Sequence, residues 1–252
     1  MKWVSAAMKI AVDLHIHTTL SPCADEDMTP NNIVNMAVLK GLDVISITDH
    51  NACDNVEAVT RAASARLLVL PGMELQTREE VHLLCYFASL ETLMDFDKLI
   101  RKHMIFLRNI VKGHCSQKVM NEYDIIVGER KEPLIASVDV SLERAIQEVR
   151  LRGGVPVPAH IDRTAYGIIS QLGFIPKESN FTSFELSRHI WSDLNEAGRN
   201  MPDRFGAFPP KHSSGLFFYS SDAHRLDEIL EREVFLEVDE LSIIAILRKL
   251  NT

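Results

Sequence analysis

Residues 10–17, Ile-Ala-Val-Asp-Leu-His-Ile-His, join a short apolar run to two histidines two positions apart. Ile10–Leu14 reads as a β-strand, with Asp13, His15 and His17 at its end. Side chains alternate across a strand, so His15 and His17 point to one face, where a single metal ion can take both. Alone, a His-x-His pair is weak evidence, because histidines are common as partly buried polar residues. Here the arrangement recurs. Thr48-Asp-His50 ends the run Val44–Ile47, and Pro71-Gly-Met-Glu74 ends Leu67–Leu70. Pro158-Ala-His-Ile-Asp-Arg163 follows Val155–Val157, and Ser220-Ser-Asp-Ala-His-Arg225 follows Leu216–Tyr219. His82 is the exception, since it opens its run, Val81–Phe87, rather than ending it.

The runs alternate with helical segments. Thr29-Pro30 supplies an N-cap and first-turn proline for a helix that Gly41 ends. Asp54 and Glu57 form a capping-box pattern for a helix reaching about Ala65. Further strands are expected at Thr182–Leu186 and Val234–Val238, and a last helix from about Leu241 to Leu250. Residues 91–152 read as mainly helical, with Ile100, Met104, Leu107 and Val111 on one face. Strands alternating with helices imply an α/β fold with a parallel sheet, and seven or eight repeats suggest a barrel. In such a barrel the strands deliver their C-terminal ends to one rim, so residues distant in sequence converge there.

The bulk numbers set bounds. At 252 residues, 46% hydrophobic and 25% charged, the chain reads as one globular domain over residues 1–252, large enough to need no disulfide staples. Cys23, Cys53, Cys85 and Cys115 stand singly, which reads as reduced thiols and a cytoplasmic protein. Met1 to Val12 is interrupted by Lys9 and too short to span a membrane, so no membrane partner is expected. A net charge of −8 argues against an extended nucleic-acid surface, although bound divalent cations would concentrate positive charge in one cleft. Oligomeric state is not legible.

Of ten histidines, six (His15, His17, His50, His82, His160, His224) lie in or beside strand-like runs, a distribution ordinary core histidines have no reason to adopt. Asp13-Leu-His-Ile-His-Thr18, Ile47-Thr-Asp-His-Asn51, Pro71-Gly-Met-Glu74 and Ser221-Asp-Ala-His224 together resemble the successive motifs of the PHP (polymerase and histidinol phosphatase) family. The resemblance runs from about Ala11 to Arg225 in the expected order. It implies a distorted (β/α)7 TIM-like barrel holding two or three divalent metals (Zn, Mn or Fe) at the C-terminal rim of its strands. By that resemblance His15, His17, Glu74 and Asp222 bind a first metal. Glu74 bridges to a second held by His82 and His160, and Asp25, His50 and His224 hold a third. The loop Ser21-Pro-Cys-Ala-Asp-Glu-Asp27 is longer than the common form, so Cys23, Glu26 or Asp27 can stand in for Asp25. Mixed imidazole and carboxylate ligation fits Zn, Mn or Fe better than Ca or Mg.

Family activities include hydrolysis of phosphomonoesters and cleavage of nucleotides or oligonucleotides. Two metals about 3.5–4 Å apart can share a water and bring its pKa toward neutrality. The expected reaction is therefore phosphoester hydrolysis by a metal-activated hydroxide, with Glu74, Asp222 and His224 at the chemical centre. The substrate would be a small phosphorylated metabolite, a nucleotide or a short oligonucleotide. Asp49, beside His50, is a candidate to orient a ligand imidazole. Arg163 and Arg225 follow ligand histidines and can clamp phosphate bidentately, with Arg188 and His189 as weaker candidates. Lys98, Arg101, Lys102, Arg108, Lys112 and Lys118 read as a solvated helix face. The rival readings are an amidohydrolase-type C–N hydrolase, disfavoured by His224 and the arginines, and a non-catalytic metal-binding module of the family, disfavoured because every ligand position is filled.

Overall fold

A computed structural model describes residues 7–104, 116–191 and 215–252. The first strand, β1 (Met8–Ile16), is flanked by β2 (Val44–Ile47) in parallel and by the edge strand β10 (Phe235–Val238) in antiparallel register. β3 (Leu68–Gln76) continues the parallel series beside β2. β4 (His82–Tyr86) pairs antiparallel with β3, and β7 (Val155–Pro158) antiparallel with β4. The result is one six-stranded sheet in the order β10-β1-β2-β3-β4-β7.

Neighbouring residues of each strand fall into two separate core clusters. Ile10, Val12 and Leu14 of β1 join Val44, Leu70 and Leu84 in one, while Ala11, Ile45, Val69 and Leu83 belong to the other. The sheet is therefore buried on both faces, which is why its strands read as unbroken apolar runs. Each fully buried Leu, Ile or Val contributes about 1.5–3 kcal/mol. Helices cover it: α1 (Pro30–Leu39), α2 (Val56–Ala63), α3 (Leu90–Arg101), α4 (Leu142–Leu151), the short α5 (Ile168–Leu172) and α6 (Ile243–Leu250). Thr29, Ser89, Ser141 and Ser242 cap α1, α3, α4 and α6 through their side-chain oxygens, each cap worth about 1 kcal/mol.

Three expectations need correction. The seven-stranded β/α barrel is met only as a mixed α/β fold with a curled, half-barrel sheet. β4 cannot run parallel to β3, because only residues 77–81 join them. They form a tight turn in which Thr77 N donates to Val81 O and Glu80 takes φ +60°, whereas a parallel return needs a crossover of a dozen residues or more. Beyond β7, a parallel pair β8 (Ser183–Leu186) and β9 (Leu216–Tyr219) extends the curl. It joins the main sheet through single links, Ile161 N to Glu185 O and the bridge of Ile16 with Ala223.

Second, the described residues between 91 and 152 include strands that the helical reading did not expect. Between α3 and α4 lies the hairpin β5 (Lys118–Met120) and β6 (Ile126–Glu129), turned at Asn121, whose side chain accepts from the amides of Tyr123 and Ile125. Ile100 does face the core from α3, but Met104 pairs with Val138 outside any helix. Leu107 and Val111, like Arg108, Lys112 and Cys115, lie outside the described residues. Lys118 sits on β5 and pairs with Glu26.

Third, α2 begins at Val56 without the expected capping box. Asp54 faces Arg130 instead (Oδ2 to Nε 3.2 Å), and Asn55 spends its amide on Thr18 and on the backbone of Lys118 and Met120. Tertiary partners outbid a local cap.

Candidate metal centre

β1, β2 and β3 bring His15, His17, His50 and Glu74 to one rim, and the loops after β7 and β9 add His160, Asp222 and His224. The reversal of β4 explains His82. Because that strand runs the other way, the residue that opens it arrives where the parallel strands end. Glu74, 1% exposed, is the hub. Its Oε1 lies 2.7 Å from His82 Nδ1, 3.2 Å from His160 Nε2 and 3.3 Å from His15 Nε2. Its Oε2 lies 2.9 Å from His50 Nδ1 and 3.4 Å from His17 Nε2.

Hydrogen bonds fix how the first two imidazoles present themselves. His15 Nδ1 meets the Glu185 carboxylate at 3.1 and 3.2 Å, and a carboxylate only accepts, so Nδ1 carries the proton. Ser21 Oγ donates to Asp49 (2.7 Å) and therefore accepts from His17 Nδ1 (2.9 Å). Both rings are left with an Nε2 lone pair, and these face each other at 3.2 Å. Asp222 Oδ1 approaches the same two atoms at 3.2 and 3.0 Å.

Two facing lone pairs beside two carboxylates are unfavourable unless a cation lies among them. Around a tetrahedral ion with bonds of about 2.1 Å, donor atoms lie about 3.4 Å apart. The His15, His17, Glu74 and Asp222 separations match that spacing. His50 Nδ1, His82 Nδ1 and Glu74 Oε2 are buried and close, yet lack hydrogen-bond partners, as expected of atoms directed at an ion. The residues thus fit divalent transition metals. Among the described residues three donor groups are compact enough: His15, His17, Glu74 and Asp222; His50, Glu74 and His82; and His17, His50 and His224. The second differs from the expected grouping, since His50 joins His82 at Glu74, where His160 also reaches.

Charge is divided sharply within the cluster. Burial would raise Glu74, but His82, His15 and His50 hold its carboxyl well below the usual range. Burial likewise opposes ionisation of Asp222, which His15 and His17 nevertheless keep well below it. Burial works against charge on His15, yet Asp222, Glu185 and Glu74 favour a cation at this ring and, with no metal bound, hold it well above the usual histidine value; a metal at Nε2 would take the place of that proton. His17 goes the other way, pushed far down by burial and by His224 and His50. Cys23 feels burial upward, but hydrogen bonds with His224 and His50 bring its thiol down to about 7.

Two supporting carboxylates differ in legibility. Asp49 accepts from Thr18 and Ser21 and so orients His17 through the serine, as its position beside His50 suggested. Glu185 was not foreseen. It is 2% exposed on β8, orients His15 and accepts from the backbone amide of His160. The available signal was a lone charged residue inside the apolar run Ser183-Phe-Glu-Leu186. Strain gathers here too: His160 (φ +26°), Asp222 (φ +51°) and Tyr166 (φ +61°) are all non-glycine residues in the left-handed region. Tyr166 stacks flat on His82, ring centroids 4.5 Å apart.

Asp25 is exposed and absent from all three groups; its charge acts on Arg225. Glu26 pairs with Lys118, and Asp27 is also exposed. Beside the centre open two cavities of about 540 and 520 Å³. Arg163 lines both and pairs with Asp222 Oδ2. His189 lines the first, and Arg188, paired with Glu233, lines the second. Arg225 stands in an exposed turn with Asp227 and lines neither. Among the described residues, no helix is long and apolar enough to cross a membrane.

Comparison with known proteins agrees with this geometry. The PHP domain model matches residues 13–150. An uncharacterized protein of Methanocaldococcus jannaschii is 25% identical over 149 residues, covering 59% of this chain and 16% of its own length. A lesion-specific endonuclease from Pyrococcus furiosus, endonuclease Q, superposes with a TM-score of 0.63 at 16% identity, over 97% of this chain and 56% of that one. A complex of endonuclease Q with a 27-mer duplex bearing an abasic lesion at its active site gives 0.67 at 16% identity, over 96% of this chain and 56% of that one. A protein assigned as a metal-dependent phosphoesterase from Bifidobacterium adolescentis gives 0.53 at 19% identity, over 84% and 87%. The chain thus spans about half the length of endonuclease Q. The expectation of no extended nucleic-acid surface is overturned, because endonuclease Q, over 56% of which this chain shares the fold, binds a DNA duplex. Net charge sums a whole surface and does not describe a single cleft.

Proposed function

The chain belongs to the PHP domain family, and on that premise we propose that it is a metal-dependent phosphoesterase acting on nucleotides or oligonucleotides. The observation that carries this reading is the convergence of five imidazoles on Glu74, with ion-ligand spacing, beside a cleft lined by Arg163. His15, His17, Glu74 and Asp222 would hold one metal, and His50, Glu74 and His82, with His160 in reach of Glu74, a second. His224, with His17 and His50 beside it, would serve a third. Divalent metals there supply Lewis acidity, lowering the pKa of water and offsetting charge on phosphate oxygens.

The chain's own side chains do the rest. Glu185 and the Asp49–Ser21 pair keep the Nδ1 protons of His15 and His17 in place, so both Nε2 atoms face the centre. Burial of His15, His17 and Glu74 excludes bulk water and strengthens every charge interaction. Arg163 presents its guanidinium to phosphate oxygens, with Arg188 and His189 along the cleft wall. Arg225, at the exposed turn, meets the flank of a longer polyanion. The arginines and the Asp222-Ala-His224 pair support phosphate chemistry over C–N hydrolysis.

The test is to load the purified protein with Zn, Mn or Fe and measure metal by elemental analysis. A screen of phosphomonoesters, phosphodiesters, nucleotides and short single- and double-stranded oligonucleotides follows. Two or three metals per chain and turnover abolished by chelation are expected. Full metal loading with no phosphoester cleaved would overturn the assignment.

A further inference from the structure

We propose that Gln76 is a positioning residue that turns the Nδ1 of His82 toward the centre, and that its neutral support makes the metal site at His82 weaker than the one at His15. The inference rests on the metal-centre reading above. Gln76 lies two residues after Glu74 on β3, so both side chains point to one face of the strand. It is 5% exposed and stands directly opposite His82 on β4. Its Oε1 is 3.2 Å from His82 Nε2. An amide oxygen only accepts, so Nε2 carries the proton and the Nδ1 lone pair is left for an ion beside Glu74. His15 and His17 are turned the other way, with Nδ1 protonated and Nε2 inward.

Every other polar group of Gln76 is tied down. Its backbone N donates to Asn51 Oδ1 (2.9 Å), its carbonyl accepts from Val138 N (3.0 Å), and its Nε2 donates to Ser137 Oγ (2.9 Å). Asn51 is buried and donates in turn to the carbonyls of Leu134 and Ala136. Residues 134–138 thus brace Gln76 from outside, and the one acceptor left over meets His82. Tyr166 fixes the plane of that ring by stacking on it, while its carbonyl accepts from the His82 amide. The two supports differ in charge. His15 donates to a carboxylate, Glu185, which raises the basicity of a ligand imidazole; His82 donates to an amide, which raises it less.

Zinc titration of the full chain, followed by calorimetry, tests this. Wild type should bind a tight zinc and a weaker second one. Gln76→Met should weaken the second about ten- to a hundredfold and spare the first. Gln76→Glu backs His82 with a carboxylate, as Glu185 backs His15, and should tighten the second beyond wild type. Ser137→Ala frees the amide and should weaken it less than Gln76→Met does. Long-range proton–nitrogen correlation spectra of the zinc-loaded protein should show His82 protonated at Nε2. Less than one zinc per chain in wild type would overturn the metal centre, and this proposal with it. With zinc bound, His82 protonated at Nδ1, or Gln76→Glu binding the second zinc no tighter than wild type, would overturn the role of Gln76 alone. So would an equal loss of both zincs in Gln76→Met together with a lower urea midpoint of the metal-free protein, the mark of a merely structural residue.

Discussion

Replacing Glu74 with Gln preserves shape and removes one charge from the hub of the cluster. Five imidazole nitrogens lie 2.7–3.4 Å from this carboxylate, which is 1% exposed. Both its oxygens are committed: Oε1 to His15, His82 and His160, Oε2 to His17 and His50. Removing one partner of a buried charged pair costs about 3–5 kcal/mol, and each 1.36 kcal/mol is tenfold. Glu74→Gln should therefore weaken metal binding on the order of a hundred- to several thousandfold. A bridging ligand lost to two ions at once should also take kcat below a tenth of wild type at saturating metal. The assay pairs elemental analysis after dialysis with turnover on the best phosphoester, using circular dichroism to confirm the fold. Retention of more than about a tenth of wild-type kcat, a barrier change of only ~1.4 kcal/mol, would refute the bridging role. His160→Gln touches the hub once, at 3.2 Å, and should cost less.

Arg163→Ala should lower kcat/KM about ten- to a hundredfold, since charge-assisted hydrogen bonds to phosphate contribute roughly 1.5–3 kcal/mol each, with metal content unchanged. Metal loss instead would mean that Arg163 acts by holding Asp222. Glu185→Gln should weaken metal affinity roughly ten- to a hundredfold through the His15 ring it orients; an unchanged titration with zinc would remove it from that role. Away from the centre, burial pushes the Asp97 carboxyl up to about 6, against Arg130 beside it and helped by Asp54. The folded state then holds this proton more tightly than the unfolded chain. Its contribution is full below about pH 4 and is lost as pH rises toward 6, a change on the order of 3 kcal/mol. In urea unfolding at pH 4, 5, 6 and 7, Asp97→Asn should gain on wild type across that window, and parallel profiles would contradict the shift.

The histidines that gather at the rim were legible because a residue at the end of a buried strand is a local pattern. Ile10–Leu14, Val44–Ile47 and Leu216–Tyr219 announce themselves by apolar content, and the polar residues after them have nowhere else to go. Helix caps such as Thr29-Pro30 are equally local. Strand direction was not, and His82 looked anomalous until the five-residue turn after Gln76 showed why β4 must reverse. The hairpin Lys118–Glu129 was not foreseen, because the helical spacing from Ile100 to Val111 says nothing of the turn at Asn121 that follows it. Glu185 meets His15 across 170 residues, and Asp54 leaves a helix cap for Arg130. Periodicity and capping act over a few residues and can be read along the chain. The pairing of charges, the tautomer of each imidazole and the choice among neighbouring ligands depend on groups that only folding brings within 3–4 Å, where hydrogen bonds and Coulomb energies become large.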